Sequence, residues 1–120
     1  MNKDFVTYEQ ALALKELGFD EPCLAGYDLN KSMYVSHVTI EDSQYYSSFE
    51  LKAPLKQQVF RWFREKYELI VSIRHNKFPE MSGKQYYYEY EYKNSYERYV
   101  TYEEAENACI DKLIEIVKQN

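Results

Sequence analysis

The sequence predicts a single α+β domain spanning residues 1–120, with helices and strands in the order α-β-β-α-β-β-α. Three observations predict this class. A threonine-capped helix lies near each end, a third helix begins at a proline in the middle, and the segments between them have an apolar period of two. Two hairpins between three helices imply a four-stranded antiparallel sheet, with the helices packed mainly on one face.

The first helix is predicted from a capping box and ends at a glycine. Thr7 supplies an oxygen that accepts the amide three residues on, and the side chain of Gln10 reaches back to the Thr7 amide. Apolar residues at helical spacing follow, and Gly18 then provides the left-handed turn that ends the helix.

The middle helix is predicted to begin at Pro54, where a missing amide proton has no cost, and to run to Tyr67. Its apolar residues cover an arc of about 160° at roughly 100° per residue. An arc this broad is typical of a helix that lies flat across a sheet.

Four strands are predicted between the helices. They are Pro22–Asp28, Met33–Ile40, Glu68–His75 and Lys84–Lys93, and residues 29–32 read as a hairpin turn. The last strand alternates strictly, which assigns two sets of side chains to opposite faces: Tyr86, Tyr88, Tyr90 and Tyr92 on one, and Gln85, Tyr87, Glu89 and Glu91 on the other.

The last helix begins with a second capping box at Thr101 and Glu104. Its predicted apolar stripe consists of Tyr102, Ala105, Cys109, Leu113 and Ile116. Residues 5–11 and 99–105 are near copies of each other, Phe-Val-Thr-Tyr-Glu-Gln-Ala and Tyr-Val-Thr-Tyr-Glu-Glu-Ala. This likeness is explained either by an ancient duplication or by convergence of two good helix caps, and the sequence leaves both open.

Three segments carry a resemblance to a known family: Val6–Ala11, Ala53–Tyr67 and Thr101–Val117. In these segments the chain resembles a family of short proteins from phages and prophages of gut Bacteroides-type bacteria. The resemblance does not extend to residues 30–50 and 70–98. It implies an accessory protein that acts in the host cytoplasm by binding a host defence protein or sequestering a nucleotide signal.

Charge and cysteine usage restrict the function further. The net charge of −5 disfavours a broad surface for phosphate backbones. The two cysteines, Cys23 and Cys109, are far apart in sequence, and Cys109 is expected to pack as a small hydrophobe. The sequence shows no signal peptide and no apolar run long enough to span a bilayer, so we expect a cytoplasmic protein without a membrane partner.

Catalytic and metal motifs are poorly represented. His37-Val38-Thr39 fits the His-x-Thr strand motif of two-histidine phosphoesterases, but that chemistry needs the motif twice, and no hydroxyl follows His75 at the required spacing. A phosphodiesterase centred on His37 therefore remains only an alternative. The histidines and cysteines lack the close spacing of zinc ligands, so we predict no metal, no cofactor and no catalytic residues.

Tyrosine is the residue type that a functional account must explain, because 14 of the 120 residues are tyrosines. Tyrosine offers contact area at a low cost in rotamer entropy, which favours its use in recognition. The candidate binding residues are Tyr45 and Tyr46 in a polar segment, and Tyr87 on the face opposite the other alternating tyrosines. The alternative is that the tyrosines simply cover one side of the sheet.

Basic residues along the middle helix give a second candidate surface, formed by Arg61, Arg64 and Lys66 with Lys52 and Lys56 nearby. Adjacent aromatics would suit a single-stranded nucleic acid, although the acidic total favours an ordinary solvated helix face. The sequence thus predicts a non-enzymatic binding protein, a homodimer or higher oligomer, whose partner is a host protein or a small nucleotide ligand rather than a nucleic acid.

Overall fold

The computed structural model of the protein describes residues 2–40, 49–76, 83–91 and 93–119. The described residues form an α+β arrangement that opens with a single 3₁₀ turn, Asn2–Asp4. The helices and strands that follow are, in order, α1 (Tyr8–Glu16), β1 (Cys23–Asp28), β2 (Met33–Ile40), β3 (Phe49–Ala53), α2 (Lys56–Tyr67), β4 (Val71–His75), β5 (Tyr86–Tyr90), β6 (Lys93–Asn94) and α3 (Tyr102–Lys118). None of the helices in this part of the chain has the length and apolar character that crossing a bilayer requires.

The α+β class is confirmed, but the prediction of one four-stranded sheet is wrong. The described strands form two three-stranded antiparallel sheets, in the orders β2-β1-β3 and β4-β5-β6. Each predicted hairpin gains a third strand, because β3 pairs with the free edge of β1 and β6 pairs with the free edge of β5. β6 escapes prediction because two residues are too short to show a period of two. β3 is as long as β4 and β5, and its sequence Phe-Glu-Leu-Lys-Ala does alternate, so this strand is a signal that the sequence analysis missed.

The chain folds as two compact units, Met1–Gln58 and Val59–Asn120. The first unit contains α1 and the sheet β2-β1-β3, and the second contains α3 and the sheet β4-β5-β6. The boundary falls inside α2. The assignment of residues 1–120 to a single domain stays a prediction.

The first unit is built around the central strand β1, whose Cys23, Ala25 and Tyr27 side chains are buried. Tyr27 Oη donates a hydrogen bond to the carbonyl oxygen of Val6 at 2.7 Å. The Val6 amide in turn donates to the carbonyl oxygen of Pro54 at 3.1 Å. These bonds tie the chain that leads into α1 to the sheet, and α1 itself packs against β3.

The predicted signals at the ends of α1 are confirmed. The Gln10 amide donates to Thr7 Oγ1 at 3.1 Å, and the Thr7 amide donates to Gln10 Oε1 at 3.0 Å, which is a complete capping box. At the other end Gly18 has a φ of +97°. The next amide, that of Phe19, then donates to the carbonyl oxygen of Leu14 at 2.9 Å and closes the helix.

The second unit places α3 against β4 and β5. The α3 residues predicted to form its apolar stripe include Ala105, Cys109 and Leu113, which are buried. Tyr102 was assigned to the same stripe but is exposed. On the sheet, Tyr88 is the buried residue of β5, and its ring stacks with that of Tyr99 at 6.5 Å between centroids.

A buried serine anchors the segment between β6 and α3. The Ser95 amide donates to the carbonyl oxygen of Tyr88 at 2.8 Å, and the Tyr88 amide donates to Ser95 Oγ at 3.3 Å. Ser95 Oγ itself donates to the carbonyl oxygen of Glu97 at 2.9 Å. The ring of Tyr96, between these residues, is fully exposed.

Both near-copy segments enter their helices in the same way. Phe5 forms an isolated antiparallel bridge with Leu55, and Tyr99 forms one with Tyr86. Two residues later Thr7 and Thr101 cap α1 and α3. The reciprocal arm of the capping box is present at Thr7, whereas at Thr101 the structure shows the bond from the Glu104 amide alone, at 3.1 Å.

Candidate functional site

A pocket of about 460 Å³ lies in the second unit, beside the start of β4 and the end of β5. Its volume falls within the range of about 300–1,000 Å³ that ligand sites commonly have. The lining combines acidic, apolar and hydroxyl side chains: Glu68, Ile70, Val71, Ser72, Glu89 and Glu91.

The register of the sheet explains why these residues meet. Ser72 and Glu89 are direct partners across β4 and β5, so their side chains point to the same face. Tyr88 is adjacent to Glu89 in the strand and therefore points to the opposite face, which packs on α3. The pocket thus opens on the face of the sheet that lies away from α3, which we call the outer face.

The pocket is lined by acidic side chains and by an apolar wall, which is the exposed side chain of Ile70. Glu68, Glu89 and Glu91 contribute three carboxylates, and in the described part of the chain none of them has an ion-pair partner. Ile70 is 66% exposed, so it presents apolar surface at the pocket. Such a surface attracts a positively charged group and offers apolar contact to whatever carries that charge.

Two of the pocket glutamates have a backbone conformation that side chains disfavour. Glu68 has a φ of +58° and Glu91 a φ of +46°, in the left-handed region where glycine is usual. Glu68 lies in the turn that ends α2, and its amide donates to the carbonyl oxygen of Arg64 at 3.1 Å. Glu91 directly follows β5. These turns place both carboxylates at the pocket, at a conformational cost of about 1–2 kcal/mol each.

Glu68→Gly is expected to raise the free energy of unfolding by about 0.5–1 kcal/mol, because glycine adopts a positive φ without the steric cost of a Cβ. Urea denaturation followed by the fluorescence of Trp62 measures the change. Glu65→Gly is the matched control, since Glu65 is exposed within α2 and glycine there should cost about 1 kcal/mol. Equal losses in both variants would contradict the assignment of strain to Glu68.

Tyr87, a predicted binding residue, lies on the same face as the pocket but is only half-exposed. The Arg98 guanidinium carbon lies 4.1 Å from the centroid of the Tyr87 ring, a close cation–π contact. Arg74 is the partner of Tyr87 across the sheet. Tyr87 therefore belongs to a mixed basic and aromatic area on the outer face, rather than to an open patch of tyrosines.

The basic residues of α2 are arranged differently from the prediction. Arg61, Arg64 and Lys66 are exposed, as expected for a solvated helix face. Lys52 lies in β3 and donates from Nζ to the carbonyl oxygen of Asp20 at 2.7 Å, and Lys56 is buried. The predicted cluster is thus reduced to its three exposed members on α2.

Aromatic rings near these basic residues are not open for stacking. Lys66 Nζ lies 5.1 Å from the centroid of the Trp62 ring and 5.7 Å from that of Tyr67. Trp62 and Phe63 are buried, and their rings pack edge to face at 5.1 Å. A base could not stack on either ring without unpacking the helix.

Several of the residues predicted from the sequence lie wholly or partly outside the described part of the chain. Tyr45 and Tyr46 lie outside the described residues, as do the side chains of His37 and Thr39, whose backbone belongs to β2. The other histidine, His75, is exposed at the end of β4, and its Nε2 lies 2.6 Å from Gln85 Oε1. The phosphodiesterase alternative therefore stays a prediction.

The cysteine thiols have the properties of core residues. Cys23 and Cys109 are both buried and free, which confirms the prediction for Cys109. Burial raises the pKa of each thiol to about 12, and nearby Glu21 and Glu106 act in the same direction, while Lys52 opposes it at Cys23. At neutral pH both are protonated and therefore poor nucleophiles.

The pocket was not predicted from the sequence, although the sequence contains one pattern that points to it. The alternation of residues 84–93 places Glu89 and Glu91 together, on the face opposite Tyr88. Glu68 and Ile70 gave no signal, because their place at the pocket depends on the left-handed turn after α2. Across the described ranges no group of three or more histidine, cysteine, aspartate or glutamate residues is arranged to hold a metal ion.

Comparison of the chain with protein-family models, with curated proteins and with solved structures gives no match. The resemblance to phage and prophage proteins therefore stays a prediction, and the pocket is interpreted from its own chemistry.

Proposed function

We propose that this protein is a non-catalytic binding module that recognises a partner protein through the outer-face pocket of its second unit. The observation that carries the proposal is a preformed cavity of about 460 Å³, lined by three carboxylates and an exposed isoleucine. Pockets that combine an apolar surface with a few convergent polar groups are the usual form of a binding site.

The backbone at the pocket supports a role in recognition. Glu68 and Glu91 hold left-handed conformations that glycine would adopt at lower cost. Strained residues are tolerated where they position a functional group. Here the two strained residues and Glu89 bring three carboxylates to the lining of one pocket, although like charges repel each other in the absence of a partner.

The charge of the pocket distinguishes between the two predicted partner classes. A nucleotide carries phosphates, which three carboxylates repel. A protein partner can present a positive charge together with apolar contacts, and both are complementary to this lining. We therefore favour a protein over a nucleotide signal. If the chain is a phage accessory protein, this partner is a host protein.

Single-stranded nucleic-acid binding is the weaker candidate. Arg61, Arg64 and Lys66 supply positive charge on α2, but recognition of single strands also relies on exposed aromatic rings. The rings nearest to them, Trp62 and Phe63, are buried. Self-association into a homodimer or higher oligomer stays a prediction.

The proposal is tested by NMR titration of ¹⁵N-labelled protein with a library of short peptides that vary in charge and hydrophobicity. Binding peptides should shift the amide signals of the pocket residues, with the largest changes at Ile70, Ser72 and Glu89. Ser72→Trp fills the pocket with a bulky side chain and should abolish these shifts. Arg74→Trp is the control, because Arg74 lies on the same face of β4 but does not line the pocket.

Both variants should retain the dispersed spectrum of the folded protein, because tryptophan is well tolerated on a half-exposed strand. The proposal is wrong if no peptide shifts the pocket signals. It is also wrong if Ser72→Trp binds as well as Arg74→Trp does.

A further inference from the structure

We propose that the pocket takes a single basic side chain, arginine or lysine, projecting from an extended segment of the partner protein. This inference rests on the proposed function and specifies the chemistry of the partner at the same site. It combines three features of the second unit: the charge of the pocket, its apolar wall, and its position on an edge strand.

The charge of the pocket favours a positively charged group. Glu68, Glu89 and Glu91 come from two separate turns and a strand, and all three line one cavity. Among the described residues no basic side chain forms an ion pair with any of them. A guanidinium or ammonium group would neutralise part of this charge through charge-assisted hydrogen bonds.

The apolar surface of the pocket favours a cation that carries an aliphatic stem. The side chain of Val71 points to the opposite face, because Val71 is adjacent to Ser72 in β4. The apolar surface at the pocket is therefore that of Ile70, which is 66% exposed. The methylene groups of arginine and lysine pack on such surfaces while the charged end reaches polar groups. A bare metal ion would leave this wall uncovered, and the described carboxylates are not grouped as metal ligands.

The position of the pocket favours an extended peptide as the carrier of that side chain. β4 contributes Val71 and Ser72 to the lining and is one of the two edge strands of the sheet β4-β5-β6, as formed by the described residues. An edge strand presents unpaired backbone groups, which an extended segment satisfies by adding alongside it. A segment bound in this way brings alternate side chains to the outer face, where one of them reaches the pocket.

The test uses four fluorescein-labelled, end-capped seven-residue peptides of alternating threonine and valine. They differ only at the central position, which is arginine, lysine, citrulline or glutamate. Citrulline has nearly the shape of arginine but carries no charge. In fluorescence anisotropy at low salt, the arginine and lysine peptides should bind at least about tenfold more tightly than the citrulline peptide. The glutamate peptide should not bind.

Glu89→Gln should remove most of the preference for arginine over citrulline, because it keeps the shape of the pocket and removes one charge. The matched control is Glu97→Gln, since Glu97 is exposed and does not line the pocket. This control should bind all four peptides as the unmodified protein does. Raising the salt concentration should weaken the binding of the arginine peptide and leave the binding of the citrulline peptide nearly unchanged.

The outcomes separate this inference from the proposed function. If the citrulline and arginine peptides bind equally well, the inference that the pocket takes a basic side chain is wrong, but the proposal that the protein is a binding module is unaffected. If only the uncharged or acidic members of the NMR library shift the pocket signals, the inference again fails alone. If neither the peptides nor the library reach the pocket, both proposals fail. A second copy of this chain is the alternative occupant of the pocket, and sedimentation velocity tests it. If the unmodified protein is a dimer and Glu89→Gln is a monomer, a second copy fills the pocket, and the proposal of a separate partner protein is wrong.

Discussion

Replacing Phe63 with alanine is expected to lower the free energy of unfolding by about 3–5 kcal/mol. The Phe63 side chain is fully buried, and its ring packs against Trp62 at 5.1 Å and Tyr67 at 6.0 Å between centroids. Its carbonyl oxygen also accepts the Leu69 amide at 3.3 Å, in the turn that ends α2. The substitution therefore removes a large apolar surface and leaves a cavity beneath the helix.

Urea denaturation measures this loss through the fluorescence of Trp62, the sole tryptophan. Because the Trp62 ring touches Phe63, its emission reports on the packing that the substitution disturbs. Arg64→Ala is the matched control, since Arg64 is the next residue in the helix but is exposed. This control should change stability by less than about 0.5 kcal/mol. If Phe63→Ala lowers the free energy of unfolding by less than about 1.5 kcal/mol, the packing of this ring contributes little to the stability of α2.

Stability is expected to fall steeply as the pH rises from about 9 to about 12. Burial raises the pKa of Cys23 and of Cys109 from 9.0 to about 12 and that of Tyr88 from 10.0 to about 12. It also raises the pKa of Tyr27 and Tyr99. Below pH 9 both the folded and the unfolded chain keep these protons, so the groups contribute no pH dependence there.

Between pH 9 and 12 the unfolded chain releases these protons while the folded chain retains them. The unfolded state then binds fewer protons, so the free energy of unfolding decreases with pH, by up to about 1.4 kcal/mol per pH unit for a well-buried thiol such as Cys109. Urea midpoints measured at unit intervals from pH 7 to 11 should be flat at first and then decline. A midpoint that stays constant to pH 11 would contradict the burial of these groups.

A second experiment tests the burial of the cysteines directly. A thiol reagent at pH 8 should label the protein only after urea is added, since both cysteines are buried.

The helices were predictable because each carries its signal locally. Thr7 and Gln10 bond within one turn of chain, and Gly18 ends α1 without help from distant residues. The alternation of tyrosines likewise predicts β5, where Tyr88 is buried and Glu89 lies on the other face. In these places residues close in sequence determine the structure.

The sheet architecture was less predictable, because it depends on which strands pair. β1 accepts β2 on one edge and β3 on the other, and the pairing of Gly26 with Lys52 joins residues far apart in the chain. Strand propensity does not specify a partner, since pairing is decided by packing and register. The sequence therefore indicated hairpins but not that each would be completed by its own third strand.

The candidate site was largely missed for a related reason. Two of its three carboxylates, those of Glu68 and Glu91, reach the pocket from residues with positive φ values, and glutamate is not a residue that predicts such a turn. The residues predicted to bind were chosen for being aromatic or basic. Of these, Tyr87 lies on the same face of the sheet as the pocket, whereas Arg61, Arg64 and Lys66 lie on α2.

The anchored segment around Ser95 has a practical consequence for chemical labelling. The ring of Tyr96 is fully exposed to solvent. The ring of Tyr88 is buried, although the Tyr88 backbone is hydrogen-bonded to Ser95, the neighbour of Tyr96. Iodination or nitration at mild pH should thus modify Tyr96 before Tyr88. Because Tyr96 does not line the pocket, it offers an attachment point for a surface or a dye that leaves the carboxylates untouched.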